Sequence, residues 1–312
     1  MADRRLQVFH AVAKHLSFTK AAEAVCMTQP AVTFQVRQLE EQFNTRLFDR
    51  AHGRITLTPA GIVALEYVER ILALSTQLES RMREMTGHDS GPLLIGASTT
   101  IAEYLLPRIV GEFKASHPGI VPRLFVANSE VVQERVAERT LDLGFIEGDS
   151  CLPALASDLC CEDELQVVCA PSHALAKQNA IAPRTLTEHG YISREPGSGT
   201  REVIDHYLEK AGLGLDSLQV TMEASSPEAL KGLVATGLAF TIMSRATVAK
   251  EVRLGELVAI PLLPRLIRNL SLVYPKERIH SRVLTAFMAF ARERFAMIEA
   301  AGSVRAASDR DQ

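Results

Sequence analysis

Hydroxyl groups and glycines stand directly before several predicted helices in the second half of the chain. Two of these groups follow short apolar segments, and open α/β sheets bind ligands beyond the carboxyl ends of their strands. A helix N-terminus carries unpaired amides and about half a positive charge, so several of them around one cleft favour a small anion. Arg201 adds a full charge and a planar fork of donors. The candidate ligand-binding residues are Ser98, Thr99, Thr100, Asn128, Ser129, Gly197, Ser198, Gly199, Thr200, Arg201 and Ser226.

Two other interpretations of these residues stay open. A serine or threonine at the start of a helix often serves only as an N-cap, so each hydroxyl taken singly is consistent with a structural role. Two carboxylates in the same region, Glu147 and Glu195, would instead favour an amine.

The residue types that usually carry catalysis show no productive pattern. Histidines are scattered, without metal-ligand spacing and without an adjacent nucleophile. The Gly-Ser-Gly sequence at 197–199 lacks the spacing and the preceding strand of a nucleophile elbow. The sequence therefore predicts a protein that is not an enzyme and that has no catalytic residue, metal or cofactor.

The cysteines are odd in number and lack paired metal-ligand spacing. We expect reduced, mostly buried thiols. The alternative is a redox sensor that uses two of the cysteines between Cys151 and Cys169. Adjacent Cys160 and Cys161 are expected on opposite faces of an extended segment, which argues against such a sensor. The five cysteines are Cys26, Cys151, Cys160, Cys161 and Cys169.

A helix-turn-helix is predicted between residues 17 and 43. Val32, Val36 and Leu39 give its second helix an apolar face at helical spacing. Thr28 is a suitable N-cap for this helix, and a proline is tolerated in a first turn. The opposite face is polar and ends in a cation, which suits insertion into a DNA major groove. That face consists of Gln29, Pro30, Thr33, Phe34 and Arg37.

Residues 49–58 predict a hairpin that turns at Gly53, with Arg50 and Arg54 on either side of the turn. Such a wing can reach DNA phosphates or a minor groove. The chain carries a net charge of −3, but its first 62 residues contain eight basic and five acidic residues. The overall acidity therefore does not exclude DNA binding. A helical hairpin in an ordinary bundle is the alternative interpretation.

Five segments of this region resemble, in the same order, the LysR-type transcriptional regulators. The segments are Phe18-Thr19-Lys20-Ala21-Ala22-Glu23, Thr28-Gln29-Pro30-Ala31-Val32-Thr33, Gln38-Leu39-Glu40, Leu47-Phe48-Asp49-Arg50 and Leu57-Thr58-Pro59-Ala60-Gly61. Phe34 departs from the family, in which a polar residue is common at this position. The resemblance implies a winged helix-turn-helix on double-stranded promoter DNA. We expect Gln29, Thr33 and Phe34 at base edges. Three arginines are expected at phosphates or in the groove beside the wing: Arg37, Arg50 and Arg54.

The resemblance also has implications for ligand and partners. The segment from Glu195 to Arg201 is similar to a stretch in family members that sense small anionic metabolites of sulfur or carbon assimilation. The expected effector is a sulfur oxyanion, a sugar phosphate or a carboxylate. The family is commonly a dimer of dimers, so a homotetramer is expected, and RNA polymerase is a candidate partner. A solute-binding protein without DNA function would explain residues 93–300 but not the N-terminal region.

A long helix is predicted after the wing, from Pro59 to about Thr86, because no proline interrupts it. Its apolar stripe needs a partner, and the resemblance implies that it pairs with its copy in a dimer. The alternative is that the stripe packs on the second domain of the same chain. The stripe consists of Leu65, Val68, Leu72, Leu78, Met82 and Met85.

The predicted fold class is α/β with an all-α N-terminal part. The domains are a DNA-binding domain (1–58), a linker helix (59–87), a hinge (88–92), an effector-binding domain (93–300) and a disordered tail (301–312). The resemblance implies that the effector-binding domain has two lobes like a periplasmic solute-binding protein. Chain order then gives lobe one as 93–163 plus 268–300 and lobe two as 164–267, joined by crossover strands at Leu165–Ala170 and Leu270–Tyr274. No secretory signal or membrane-spanning segment is evident, so a cytoplasmic protein is expected.

Overall fold

The computed structural model describes residues 3–51, 54–85, 90–150, 152–276 and 280–308. Contacts divide the chain into two compact units. One comprises residues 1–90 and 138–140, and the other comprises residues 91–137 and 141–312. No helix in the described part of the chain has both the length and the apolar character needed to cross a bilayer.

The described residues of the first unit form three short helices, a two-stranded hairpin and one long helix. The Asp3 side chain accepts a hydrogen bond from the Arg5 amide at the start of the first helix, and Ser17 caps the second helix by accepting one from the Lys20 amide. Thr28 stands at the N-cap of the third helix, but its side chain makes no capping hydrogen bond. The elements are α1 (Arg4–His15), α2 (Phe18–Ala24), α3 (Gln29–Phe43), β1 (Phe48–Ala51), β2 (Arg54–Leu57) and α4 (Pro59–Met85).

The predicted winged helix-turn-helix is confirmed. Strands β1 and β2 pair in antiparallel fashion, from Phe48 opposite Leu57 to Ala51 opposite Arg54. The predicted turn residue Gly53 lies outside the described residues. The three short helices, the hairpin and the start of α4 share one apolar core. This core fixes the position of α3 and leaves its polar face exposed. The core includes Val8, Phe9, Val12, Phe18, Ala21, Val32, Val36, Leu39, Leu47, Phe48 and Val68.

Helix α4 has two apolar faces, which corrects the single stripe predicted from the sequence. Val68 is 3% exposed, and Leu65 and Leu72 also pack against the core of the first unit. Half of the predicted stripe is therefore used inside its own unit. Helical periodicity finds apolar residues but does not show which face a neighbouring element covers. The exposed apolar residues of α4 are Ile62, Val63, Tyr67, Ile71, Leu74, Leu78 and Met82.

The second unit alternates strands and helices, as predicted for an α/β domain. Its strands are β3 (Gly91–Ser98), β4 (Ile120–Ala127), β5 (Leu143–Glu147), β6 (Leu155–Cys169), β7 (Gly190–Ser193), β8 (Gln219–Glu223), β9 (Thr241–Ser244) and β10 (Val258–Pro275). Its α-helices are α5 (Thr99–Tyr104), α6 (Leu106–Ser116), α7 (Ser129–Ala137), α8 (Pro183–Leu186), α9 (Gly199–Lys210), α10 (Pro227–Ala235), α11 (Arg245–Arg253) and α12 (Arg282–Ser308). Short 3₁₀ helices cover Ala174–Lys177 and Leu215–Ser217.

The main sheet is mixed and has the strand order β4-β3-β5-β10-β6-β9. Strand β3 is parallel to both neighbours, whereas β10 is antiparallel to β5 and β6. Strands β6 and β10 pair along almost their whole length, from Val258 opposite Cys169 to Pro275 opposite Leu155. The predicted crossover strands are therefore only parts of two much longer strands. A separate parallel pair, β7 with β8, completes the unit.

Two of the apolar clusters formed by the described residues of the second unit define its two lobes. The core of lobe one is built on β3 to β5 and α12 and takes Cys161 from β6 and Leu270 from β10. The core of lobe two takes Leu165 from β6 and Leu266 from β10. Both long strands thus pass from one lobe to the other between these residues. The lobe boundaries at 163/164 and 267/268 stay predictions.

Cys160 and Cys161 contribute to the same core, contrary to the opposite faces expected for a regular strand. The register of β6 against β10 shifts at this point, because Leu270 faces Cys161 and Ser271 faces Leu159. A bulge places an extra residue in one strand and breaks the alternation of side chains.

Helix α12 continues to Ser308, so the tail predicted as disordered from residue 301 is helical as far as residue 308. Alanine is the strongest helix former and recurs through this stretch, which favours extension of the preceding helix. Residues 309–312 lie outside the described residues.

Candidate functional site

The carboxyl end of β5 places Glu147 at the centre of a buried polar cluster. Ser98 Oγ, at the end of β3, donates a hydrogen bond to Glu147 Oε1 at 3.2 Å. Thr200 Oγ1, in the first turn of α9, donates to Glu147 Oε2 at 2.6 Å. Arg268 Nη1 on β10 lies 3.0 Å from the same Oε2 and donates to Thr200 Oγ1 at 2.7 Å. This cluster, the Glu147 cluster, therefore joins lobe one, lobe two and a strand that runs between them.

Arg268 pairs with a second carboxylate from the neighbouring strand. Asp163 on β6 stands opposite Arg268 in the register of the sheet, and Arg268 Nε donates to Asp163 Oδ2 at 2.8 Å. Ser244 Oγ donates to the other oxygen, Asp163 Oδ1, at 2.7 Å. Burial lowers the pKa of Arg268, but the charges of Glu147 and Asp163 outweigh burial and raise it above its usual value. The guanidinium remains charged between two acids.

Glu147 is ionised although its side chain is only 1% exposed. Burial by itself raises the pKa of a carboxyl group. The charges of Arg268 and Arg194, with hydrogen bonds from the Thr100 and Thr200 hydroxyls, outweigh burial and lower the pKa of Glu147 to about 2. The cluster therefore contains a permanent negative charge that is held by cations and hydroxyl donors.

Arg194 closes the cleft between the lobes from the side of lobe two. It follows β7 directly, and its side chain is 4% exposed. Its Nη2 donates to Thr99 Oγ1 of lobe one at 3.0 Å, and its Nε donates to Glu195 Oε2 at 2.8 Å. The backbone also links the lobes, since the Glu130 amide donates to the Gly197 carbonyl at 3.3 Å.

A small cavity of about 10 Å³ lies beside Arg194, between the lobes. A volume of this size accommodates about one water molecule. Apolar residues on the lobe two side complete its wall, and no described residue of the lining is a carboxylate. The polar lining consists of Thr100, Arg194, Thr200, Ser244 and Thr247.

The exposed face of α3 carries the residues predicted to read DNA. Gln29 Nε2 donates to Thr33 Oγ1 at 3.0 Å, one turn further along the helix. Phe34 is 57% exposed, and the Arg37 side chain is exposed beside Glu41. Arg54 is exposed on β2. The side chain of Arg50 lies outside the described part of the structure.

Family models match both units of the chain. A model described as "Bacterial regulatory helix-turn-helix protein, lysR family" matches residues 4–62. A model described as "LysR substrate binding domain" matches residues 86–296. The chain belongs to the LysR family of transcriptional regulators. The resemblance in the N-terminal motifs thus extends over the effector-binding domain, and the prediction of a DNA-binding regulator modulated by a small effector is confirmed.

Curated relatives of this LysR regulator have related names. The chain is 34% identical over 288 residues to the "RuBisCO operon transcriptional regulator" of Acidithiobacillus ferrooxidans, covering 92% of each chain. It is 35% identical over 254 residues to the "Probable RuBisCO transcriptional regulator" of Cyanidioschyzon merolae, covering 80% of this chain and 84% of the relative.

Solved structures share the fold. CbnR, described as a LysR family transcriptional regulator, superimposes with a TM-score of 0.71 at 21% identity, covering 94% of this chain and 99% of that one. The regulatory domain of CcmR from Synechocystis PCC6803, solved in complex with 2-PG, superimposes with a TM-score of 0.60 at 25% identity. That comparison covers 65% of this chain and 97% of the CcmR chain.

Most of the eleven predicted ligand-binding residues come together around the cleft of this regulator. Ser129 Oγ accepts a hydrogen bond from the Glu147 amide at 3.2 Å, and Asn128 Nδ2 donates to the Pro196 carbonyl at 3.2 Å. The hydroxyl of Ser198 is buried and has no hydrogen-bond partner among the described residues. Gly197 adopts a φ of +77°, which glycine tolerates without strain.

Two predicted residues have structural partners instead. Arg201 Nη1 donates to the Arg194 carbonyl at 3.0 Å and lies 3.1 Å from Glu223 Oε2, so its guanidinium supports the Arg194 segment. Ser226 caps α10 by accepting from the Ala229 amide. Neither cleft arginine, Arg194 or Arg268, was predicted from the sequence, although Arg194 is next to the Glu195–Arg201 segment.

The alternative interpretations find little support in the structure. The amine site predicted around Glu147 and Glu195 is not favoured, because arginines already pair with both carboxylates. Burial raises the pKa of Cys160 to about 12 and of Cys169 to about 11, so both remain protonated thiols at neutral pH. Cys151 lies outside the described residues. Among the described residues, no three His, Cys, Asp or Glu side chains are grouped as metal ligands.

Proposed function

We propose that this regulator controls a RuBisCO operon in response to a small anion that binds between its two lobes. The observation that carries the proposal is the polar lining of the small cavity, where one guanidinium and four hydroxyls face a space without a carboxylate in the described lining. Guanidinium and hydroxyl groups suit an anion, because they donate hydrogen bonds to its oxygens once they release their present acceptors.

The relatives support the proposed target and the proposed class of effector. The RuBisCO regulators match over most of this chain, which supports the proposal that this regulator has the same target operon. The CcmR domain holds 2-PG on the same fold. Among the classes expected from the sequence, we therefore favour a phosphorylated or carboxylated metabolite over a sulfur oxyanion.

The cation that holds the effector in this proposal is Arg194, in place of Arg201. Arg194 lines the cavity and reaches Thr99 of the opposite lobe, whereas Arg201 pairs with Glu223. The buried hydroxyl of Ser198 offers a further donor at the start of α9. An anion larger than a water molecule requires the lobes to separate before it enters. Effector binding is then coupled to lobe movement.

For DNA, we propose that α3 enters the major groove and that β1 and β2 form the wing. Gln29, Thr33 and Phe34 would contact base edges, Pro30 would lie on the same DNA-facing surface, and Arg37, Arg50 and Arg54 would contact phosphates. The exposure of Phe34 supports a contact with a thymine methyl group, since a large apolar side chain gains by leaving water.

We propose a dimer through the exposed apolar face of α4, from Ile62 to Met82, and a dimer of dimers as the full assembly. Seven large apolar side chains are exposed on this one helix, and a contiguous exposed apolar patch usually marks an interaction surface. Two copies of α3 would then read two half-sites one or more DNA turns apart. RNA polymerase remains a candidate partner of the assembly.

The test is a footprint of the full-length protein on DNA upstream of the RuBisCO genes of its source genome. We expect two protected half-sites, and a change in protection or affinity when 2-PG is added. Sulfate, inorganic phosphate and shikimate serve as comparison ligands, and a shuffled DNA sequence serves as the control. Equal binding to upstream and shuffled DNA would refute the promoter assignment. An unchanged footprint with every anion would refute the effector class.

The wing makes a separate prediction, because Arg54 is exposed on β2. Arg54→Ala should weaken binding to all DNA sequences alike and reduce the slope of log affinity against log salt by about one unit for each phosphate that the protein no longer neutralises. Arg184→Ala is the matched control, because Arg184 is an exposed residue of α8 in the other unit. Fluorescence anisotropy at low and at physiological salt measures both slopes, and an unchanged slope in Arg54→Ala would remove this residue from the DNA interface.

A further inference from the structure

The Glu147 carboxylate accepts the hydrogen bonds that an anionic effector would need. Its two oxygens accept hydrogen bonds from Ser98 of lobe one and Thr200 of lobe two, and the oxygen bound by Thr200 also lies 3.0 Å from Arg268. A carboxylate that gathers hydroxyl donors from both lobes together with a guanidinium has the binding arrangement expected of a bound anion.

The Thr200 hydroxyl cannot donate to Glu147 and to an external anion at the same time. A hydroxyl has one hydrogen to donate, and Thr200 Oγ1 donates it to Glu147 while its oxygen accepts from Arg268. Thr200 also lines the cavity beside Arg194. An anion in that cavity therefore obtains the Thr200 hydrogen only if Glu147 gives it up.

We infer that the Glu147 carboxylate is an internal competitor for the anionic effector, holding the Thr200 and Ser98 donors until the effector takes them. The inference rests on the proposed anion site and adds to it the residue that sets the effector concentration needed for a response. An effector must supply more binding free energy than the hydrogen bonds that Glu147 loses.

The neighbouring charges make this exchange feasible. When Glu147 gives up Thr200, Arg268 is not left alone in the interior, because Asp163 binds it through Nε at 2.8 Å. Ser244 holds Asp163 in turn at 2.7 Å. The exchange therefore changes the hydrogen bonds of Thr200 beside the cavity, while the hydrogen bonds from Arg268 and Ser244 to Asp163 stay in place.

Glu147→Gln tests the competition in the full-length protein. The amide is nearly isosteric and uncharged, and it has one acceptor oxygen instead of two, so at least one of the Thr200 and Ser98 hydroxyls becomes available to an external anion. We expect 2-PG and inorganic phosphate to bind about tenfold more tightly than to the wild type, which corresponds to one hydrogen bond to a charged group. Titration calorimetry measures the affinity. Glu209→Gln removes the same charge from the exposed end of α9 and should leave it unchanged.

Glu147→Asp keeps the negative charge beside Arg268 but withdraws the carboxylate from Thr200 by one methylene group. We expect an intermediate gain of about threefold. This variant provides the same test with the charge balance preserved, so it remains informative if the amide variant does not fold. Unchanged or weaker anion binding by a folded variant would overturn the inference.

The two proposals fail in different ways. Absence of anion binding by the wild type, together with binding by Glu147→Gln, would support the competition while refuting the effector class proposed for the wild type. Anion binding by the wild type at the same affinity as both variants would retain the effector site and refute the competition. Absence of binding by all three proteins would refute both.

Discussion

Replacing Arg268 by methionine is expected to lower the free energy of unfolding at pH 7 by about 3 to 5 kcal/mol, since removal of one partner leaves buried charges uncompensated. The Arg268 side chain is completely buried between Glu147 and Asp163. Methionine fills much of the same volume with an apolar chain. The loss therefore reports the unpaired carboxylates rather than a void.

The pH dependence separates this cause from simple repacking. In the wild type the folded-state pKa of Glu147 is lowered, to about 2, so its contribution to stability is present above the unfolded pKa and is lost as the pH falls towards 2. Without Arg268, burial dominates and raises the folded-state pKa above the unfolded value. Protonation of Glu147 then reduces the destabilisation of the variant as the pH falls. The difference in free energy of unfolding between the variant and the wild type therefore becomes smaller.

Urea denaturation at pH 7 and pH 4 measures this gap. The control is Arg108→Met on α6, because the Arg108 side chain is 88% exposed and its partner Glu112 is 35% exposed. It should cost less than about 1 kcal/mol at both pH values. A loss in Arg268→Met that is the same at pH 7 and pH 4 would mean that packing, and not the unpaired carboxylates, accounts for the effect.

The N-terminal unit was predictable because its signals are local. The N-cap position of Thr28 and the apolar spacing of α3 are fixed within a few residues of the helix they specify. The choice of face on α4 was not local. Whether Val68 or Leu78 is buried depends on where α1 and the hairpin pack on the helix, and the predicted stripe contained both residues.

Of the residues around the cleft, only those at helix N-termini were predictable from the sequence. Ser98 and Thr200 stand where a strand or loop meets a helix, which the sequence reveals. Arg268 lies in a long segment with prolines at 261 and 264, which predicts a loop before residue 270. Its role depends on the register that places Asp163, 105 residues earlier, opposite it. No single-sequence pattern contains that pairing.

Gly199→Ala is expected to have the second largest effect, because the first turn of α9 touches the end of β5. A methyl group at this position would lie 2.3 Å from the Glu147 carbonyl oxygen and 2.7 Å from Ser129 Oγ. Backbone atoms cannot give way as a flexible side chain can. Overpacking of this kind typically costs about 1 to 3 kcal/mol. The start of α9 must therefore move away from lobe one.

Glycine at this position thus provides close approach of the lobes rather than a direct ligand contact. Displacement of α9 carries Thr200 away from Ser98, so we expect anion affinity to fall by at least about tenfold, together with a lower melting temperature. Gly232→Ala is the matched control, since a methyl group on α10 meets nothing within 4 Å and alanine favours a helix. Calorimetric titration with 2-PG and thermal unfolding measure both effects. The direction is opposite to that expected for Glu147→Gln, which frees at least one of the same donors without moving it. Wild-type affinity in Gly199→Ala would mean that the anion does not require the two lobes to meet at α9.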